Sequence, residues 1–335
     1  MRAAVMQGLH KPLLVETLPD PTPGEGELVV KVGRCGICGS DLHMTEDAGY
    51  GRGAGDVLGH EFAGEIVAIG KGVEGYRTGE LVSVSPLQSC GHCDACLAGD
   101  VAWCAHFGLQ MGGYADYALT RPNQCVKLPQ ALSLADGAIV EPLAVARHGV
   151  SLSGIQPGDK VLVLGAGPIG LAVAFWARRA GAGRVVLQDI ADYQRERALE
   201  MGANAFVVDR EDPVGASTSA LGGPADIVFE CVGVPGLIAQ AVGQVRARGT
   251  VVLLGLCSQP DTFNSFAMLS KEIRLITSAF FTRGEYEASL DALERGAAEP
   301  RALITQTISL AETPDVFESL KRRTHQCKVM IAPGG

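Results

Sequence analysis

Residues 161–170 read VLVLGAGPIG, and a helical run carrying Leu171, Val173 and Phe175 follows without a break. A buried strand, a glycine turn and a helix in immediate succession constrain the fold more than anything else in the chain, because the next strand then lies parallel to the first. The glycines have separate tasks. Gly165 permits the tight turn, Gly167 lets the backbone approach a pyrophosphate, and Gly170 lets the helix pack on the strand. The helix N-terminus then faces the negative charge. The alternation continues through "RVVLQD", a polar helix up to Met201, "AFVVD", "ADIVFECVG", "GTVVLLGL" and "IRLITSAFF", which predicts a parallel α/β sheet from about residue 150. Asp189 ends "RVVLQD". A carboxylate there accepts hydrogen bonds from the adenosine ribose and repels a 2′-phosphate, which favours NAD over NADP; Ile190 adds no phosphate partner. A glycine turn without a ligand, with Asp189 capping the next helix, is the plainer alternative.

Residues 1 to about 142 have a different texture. Short alternating or apolar runs such as "GELVVKVG", "GEIVAIG", "GELVSVS" and "GYADYALT" are separated by turn residues, as in an all-β, barrel-like domain. Within it Cys90, Cys93, Cys96 and Cys104 stand as C-x2-C-x2-C-x7-C, a spacing that lets four thiolates converge tetrahedrally on one ion. That is a closed structural zinc site. A disulfide cluster is the alternative, and His92 reads as a loop residue rather than a further ligand. Cys35, Cys125, Cys231, Cys257 and Cys327 sit among apolar or small neighbours and read as packed thiols.

Composition narrows the function classes. At 335 residues and 47% hydrophobic content the chain can bury two cores. Its net charge of −9 argues against nucleic acid, whose phosphates need clustered Lys and Arg. The opening "MRAAVMQG" lacks a basic region followed by a long apolar segment, so a cytoplasmic protein is expected. Val161 to Ala177 carries no charge, but Gly165-Ala166-Gly167-Pro168 at its centre would interrupt a spanning helix, so no membrane span is expected.

Upstream of the quartet lie "CGICGSDLH" and "GHEFAG", which supply Cys38, Ser40, Asp41, His43, His60 and Glu61. A thiolate, an imidazole and nearby carboxylates are what an open zinc site requires. With the quartet, "GGYADYA" and the glycine turn in the same order, the chain resembles the zinc-dependent medium-chain alcohol dehydrogenase family nearly end to end. The resemblance implies an α/β protein: a GroES-like β-barrel catalytic domain over 1–142 with both zinc sites, a Rossmann NAD-binding domain over 143–278, and a return to the catalytic domain over 279–335. It implies Cys38 and His60 as catalytic zinc ligands, Glu61 as ligand or neighbour, and Asp41 as the carboxylate that orients His60. Glu141 stands where classical members have a cysteine, as in the sorbitol, threonine and 2,3-butanediol dehydrogenase branches, and is expected as a third zinc ligand, directly or through water; that it merely starts a helix before Pro142 is the plainer alternative. Ser40 and His43 match the family's proton relay through a ribose hydroxyl. Pro168, Ile169, Gly255 and Leu256 join Gly165, Gly167, Gly170 and Asp189 as expected NAD contacts.

The implied activity is hydride transfer between an alcohol and NAD at a zinc site, with two zincs per chain. Alignment with sorbitol dehydrogenase puts Met44 and Phe280 where that enzyme has polar substrate contacts, so a less polar secondary alcohol, a vicinal diol or the matching ketone is expected, with a polyol or L-threonine as alternatives. Gln194 replaces an arginine of many NAD-binding relatives. A non-catalytic, zinc-stabilised NAD-binding scaffold is the reading of another class, and it predicts decay of the relay residues that are in fact all present. The apolar strand "IRLITSAFF" would be a hazardous open edge, so a homodimer or homotetramer is expected.

Overall fold

The computed structural model describes residues 1–322 and 324–334. The chain divides into two compact units: Met1–Glu141 with Thr282–Ala297 and Ile304–Gly335, and Pro142–Phe281 with Ala298–Leu303.

Among the described residues, the first unit carries a seven-stranded sheet in the order Ile304–Ser309, Lys328–Ala332, Leu28–Gly36, Glu61–Ile69, Leu81–Val84, Cys125–Lys127, and Tyr117–Thr120 also pairs with Leu28–Gly36. Alternation along these strands sends Val30, Val32, Phe62, Ile66, Val82, Val84 and Ile331 into one core while Lys31 and Glu65 stay exposed. Each fully buried side chain of this kind contributes roughly 1.5–3 kcal/mol. Leu28–Gly36 runs antiparallel to Glu61–Ile69 with Gly36 opposite Glu61, and Met330 of the last strand also pairs with Gly36. This register decides the site, because it brings the residues just beyond Gly36 and just before Glu61 to one end of the sheet. A separate two-stranded pair, Leu87–Gln88 with Gly108–Leu109, closes the lobe that holds the cysteine quartet.

The second unit holds a six-stranded, wholly parallel sheet. In chain order its strands lie third, second, first, fourth, fifth, sixth: Ala205–Val207, Arg184–Gln188, Lys160–Leu164, Ala225–Glu230, Val245–Leu253 and Arg274–Thr277. Such sheets are covered on both faces, which is why Val161–Leu164 is buried without alternation. The strand order reverses between Lys160–Leu164 and Ala225–Glu230, and in this architecture ligands bind at that reversal. The helix Pro168–Arg179 begins with proline directly after Gly167, where proline's fixed φ suits a first helical position. Trp176 donates from Nε1 to the Leu143 carbonyl at 2.8 Å and so fixes this helix against the helix Val140–Ser153.

The uncharged run Val161 to Ala177 is therefore strand, turn and helix, and among the described residues no helix is long and apolar enough to cross a membrane. The stretch "EDPVGASTSALGGP" holds a helix, Pro213–Leu221, capped by Asp212 through the Gly215 N–H at 2.8 Å, and turns at its end, where Gly222 has φ 68°. A strand, Ile304–Ser309, pairs in parallel with Lys328–Ala332.

Candidate active site

Cys38 ends the turn after Leu28–Gly36 and heads the short helix Gly39–Met44, while His60 directly precedes Glu61–Ile69. The pairing of Gly36 with Glu61 brings them together: one ligand atom each from Cys38, His60 and Glu61 lie within 4.8 Å of one another. His60 donates from Nδ1 to Asp41 Oδ1 at 3.2 Å, and Asp41 Oδ2 accepts from the Cys38 backbone N–H at 3.0 Å. Burial alone would lower the His60 pKa, but the Asp41 carboxylate and the Cys38 side chain hold it well above the ordinary histidine value. Asp41 answers in kind: burial pushes it up, and His60, Tyr114 and the Cys38 N–H bring it below the usual range.

Glu61 Oε1 accepts from Lys328 Nζ at 2.7 Å, and the same ammonium donates to the Ile37 carbonyl at 3.0 Å. Glu61 Oε2 is buried and has no hydrogen-bond partner among the described residues. A desolvated carboxylate oxygen without a donor is costly, and a cation shared with the thiol and the imidazole is the partner whose chemistry fits. Gly36 makes the room, since a Cβ there would run into Glu61 Oε2. Glu141 sits in the first turn of Val140–Ser153, so it does begin a helix, yet it is only 7% exposed. Burial pushes its carboxyl up to about 7, with His60 pulling it down and Glu61 pushing it up. It lies outside the close group of three and feels the same charges.

Ser40 and His43 share one face of Gly39–Met44, the serine half-buried and the histidine exposed and stacked on Tyr50 with ring centroids 6.4 Å apart. Cys90, Cys93, Cys96 and Cys104 also present sulfurs within 4.8 Å of one another. Backbone N–H groups prepare two of these sulfurs for charge: Cys93 is brought down to about 6 by the Cys96 N–H, and Cys104 is lowered by the Cys90 and His106 N–H groups, whereas burial pushes Cys96 up to about 11. His92 bonds instead to the Cys90 carbonyl at 2.9 Å, as a loop residue would.

In the second unit Gly165 has φ 94°, and a Cβ on Gly170 would collide with the Gly165 carbonyl oxygen. Around Gly167 a Cβ would meet nothing within 4 Å, which leaves open space where a pyrophosphate would lie at the head of the helix. Pro168 and Ile169 are half-buried beside it. Asp189 Oδ2 accepts from the Ala166 N–H at 2.9 Å and Oδ1 from the Ile190 N–H at 2.6 Å, so the aspartate links the second strand to the glycine turn. Gly255 donates to the Glu230 carbonyl at 3.0 Å, and Leu256 is exposed. The two glycines should separate experimentally: Gly170→Ala should lower the melting temperature sharply, whereas Gly167→Ala should leave it unchanged and weaken NAD binding about tenfold by keeping the pyrophosphate from the backbone. Differential scanning fluorimetry and NAD titration check both.

Three residues escaped the sequence reading. Lys328 is a lone charge inside the apolar "CKVMIA", and that oddity was the available signal. Tyr114 is part of "GGYADYA" but has no role by sequence; it donates to Asp41 Oδ2 at 2.6 Å. Glu230, buried at the end of its strand, accepts from the Val232 and Gly233 N–H groups at 2.7 and 2.9 Å and shapes the loop at the strand-order reversal. Other expectations need correcting. Met44 is packed in the barrel core, because its position on the helix Gly39–Met44 faces inward, rather than lying open on a loop. Cys257 is exposed, in the irregular stretch beyond Val245–Leu253, rather than packed. Phe280 has a left-handed backbone, φ 60°, which costs a bulky residue of order 1–3 kcal/mol.

Comparison with known proteins agrees with this geometry. Residues 24–130 match the family model of the alcohol dehydrogenase GroES-like domain, and residues 168–295 match that of the zinc-binding dehydrogenases. The chain is 31% identical to sorbitol dehydrogenase of Bacillus subtilis over 99% of its own length and 97% of the relative's. An alcohol dehydrogenase, rspB, of E. coli CFT073 complexed with NADH has a similar structure, with a TM-score of 0.90, 29% identity and 99% of each chain covered. So has a protein of Sinorhizobium meliloti 1021 described as a zinc-binding dehydrogenase and bound to NADP, with a TM-score of 0.89, 34% identity and 99% of each chain covered. The chain belongs to the zinc-dependent medium-chain alcohol dehydrogenase family.

Proposed function

We propose that the protein interconverts a secondary hydroxyl, in a simple alcohol, vicinal diol or polyol, and the corresponding ketone with NAD as coenzyme. The observation that carries this reading is the buried, unpartnered Oε2 of Glu61 beside the Cys38 thiol and the His60 ring. Zinc in this donor set supplies a Lewis acid that makes the substrate hydroxyl far more acidic. Cys38 and His60 hold the ion, Glu61 or Glu141 completes the set, and Asp41 keeps the His60 ring in place. Ser40 takes up the hydroxyl proton while passing its own to a ribose hydroxyl of the coenzyme, and His43, whose side chain is exposed, receives the proton from that hydroxyl and delivers it to solvent.

In the second unit NAD supplies the hydride acceptor. The turn from Gly165 through Gly167, Pro168 and Ile169 to Gly170 receives the pyrophosphate, Asp189 the adenosine ribose, and Gly255 and Leu256 the remainder of the coenzyme. A second zinc occupies the cysteine quartet, whose four sulfurs leave no open position, so its role is structural. The functional division follows 1–142 and 279–335 for substrate activation and 143–278 for coenzyme. Arg274–Thr277, the outermost strand of its sheet, pairs with a second copy in a homodimer or homotetramer.

The substrate range includes polyols because the relative named sorbitol dehydrogenase aligns end to end and because Met44, one of the two residues behind the expectation of a less polar pocket, lies in the core. A panel of sorbitol, xylitol, 2,3-butanediol and 2-butanol, assayed with NAD and NADP before and after zinc removal, tests the reading. The expected result is NAD reduction by at least one secondary alcohol, lost on chelation and restored by zinc. No turnover by the zinc-loaded protein, or turnover indifferent to complete zinc removal, would refute it. Ser40→Ala should lower kcat by about 100-fold or more with NAD affinity unchanged, measured by steady-state kinetics and coenzyme titration.

A further inference from the structure

Asp41 touches both candidate zinc-holding segments at once. Its Oδ1 receives the His60 ring and its Oδ2 the Cys38 backbone, so the rotation of one carboxylate sets the spacing of nitrogen and sulfur. Something must fix that rotation, and the structure supplies a fully buried phenol: Tyr114 donates to Asp41 Oδ2 at 2.6 Å. The tyrosine is itself held firmly. Its N–H donates to the Leu58 carbonyl at 3.0 Å, its carbonyl accepts from the Ala4 N–H at 2.8 Å, and the Gly113 N–H bonds to the Gly59 carbonyl at 2.9 Å. Gly59, with φ 90°, has no Cβ to strike the Tyr114 ring and stands directly before His60. Phe317 meets the ring edge-on at a centroid distance of 6.3 Å.

We propose that Tyr114 is a positioning residue for the catalytic zinc: its hydroxyl locks Asp41 in the orientation that presents Cys38 and His60 to one ion. The inference rests on the zinc reading above. In Tyr114→Phe the ring and its packing remain, but Oδ2 keeps only the Cys38 N–H as donor while still fully buried. An under-satisfied buried carboxylate turns toward whatever donor remains, and the imidazole turns with it.

The test is zinc affinity rather than turnover. Zinc-loaded wild type, Tyr114→Phe, Asp41→Asn and the double variant are titrated with a chromogenic chelator, which reads the two classes of zinc separately. Zinc in the cysteine quartet serves as internal control and shows that the variants are folded. Tyr114→Phe is expected to weaken the Cys38–His60 site about tenfold, the scale found when the partner of a metal-bound histidine is lost. It should leave the quartet unchanged and have no further effect in the Asp41→Asn background. Cobalt in place of zinc should show shifted ligand-field bands in Tyr114→Phe. Wild-type affinity in Tyr114→Phe overturns the proposal, and so does an equal loss with and without the Asp41 carboxylate, which marks a role in packing alone. Wild-type protein holding no zinc outside the quartet overturns both this inference and the zinc reading beneath it.

Discussion

Cys38→Ala protein is expected to retain one zinc per chain, to bind NAD with wild-type affinity, and to turn over about 1,000-fold more slowly or worse. The magnitude follows from the chemistry being removed. A Lewis acid contributes several kcal/mol to charge stabilisation in the transition state, and each 1.36 kcal/mol is a factor of ten in rate. Without the thiolate, the remaining donors are one imidazole and the carboxylates of Glu141 and Glu61, and Glu61 Oε1 is already committed to Lys328 at 2.7 Å. The quartet is a separate cluster between Cys90 and Cys104, so its metal stays as an internal count of folded protein. Metal analysis and steady-state kinetics on the same preparation give the result. Two zincs per chain in the variant, or undiminished kcat/KM, would remove Cys38 from the site.

Lys328→Met should produce the largest stability loss of any single substitution considered. Lys328 and Glu61 have side chains 2% and 1% exposed, and their ion pair is backed by the Ile37 carbonyl. Removing one partner of a buried pair leaves an uncompensated charge and costs about 3–5 kcal/mol. The zinc-stripped protein should show that full loss in urea unfolding. Zinc-loaded protein should lose less, because Oε2 then faces the ion. Adding Glu61→Gln should recover much of the stability, since the stranded charge is gone. The pH dependence has a definite sign. Burial would lower the lysine, but Glu61, Cys38 and Glu141 together outweigh it and raise the pKa above its ordinary 10.5. The lysine's contribution is therefore complete below about that value and fades only as the pH climbs past it. Equal losses with and without zinc would mean that Oε2 does not meet the metal.

How much of this was legible in the sequence depended on how local the geometry is. The glycine turn and the quartet are confined to a few residues whose backbone demands leave little choice, and the structure places them as a turn at a strand end and a four-sulfur cluster. Cys38 and His60 were readable because "CGICGSDLH" and "GHEFAG" carry a thiol, an imidazole and carboxylates in the family's order. Lys328 was not tied to Glu61, because the two are 267 residues apart and only the closure of the sheet brings them together. The inward turn of Met44 depends on the start of a six-residue helix, which periodicity resolves poorly over so short a stretch. Pro213–Leu221 mixes Val, Gly, Ser and Thr, all weak helix formers, with Ala216, Ala220 and Leu221, and the Asp212 cap and Pro213 in its first turn fix where it starts. Ile304–Ser309 is mostly half-buried, and its polar side chains hide the strand.

The last strand, Lys328–Ala332, pairs with Leu28–Gly36, the strand that leads into Cys38. A ribosome adding about 5–20 residues per second needs roughly 15–60 s to travel from one to the other. Throughout that interval the emerging polypeptide already contains Cys38, His60 and Glu61 but lacks the ammonium that neutralises the glutamate. Synthesis of Lys328–Ala332 and maturation of the metal pocket are thus coupled by topology, and a product that stops short of that strand is left with an incomplete sheet and an unneutralised acid at its heart.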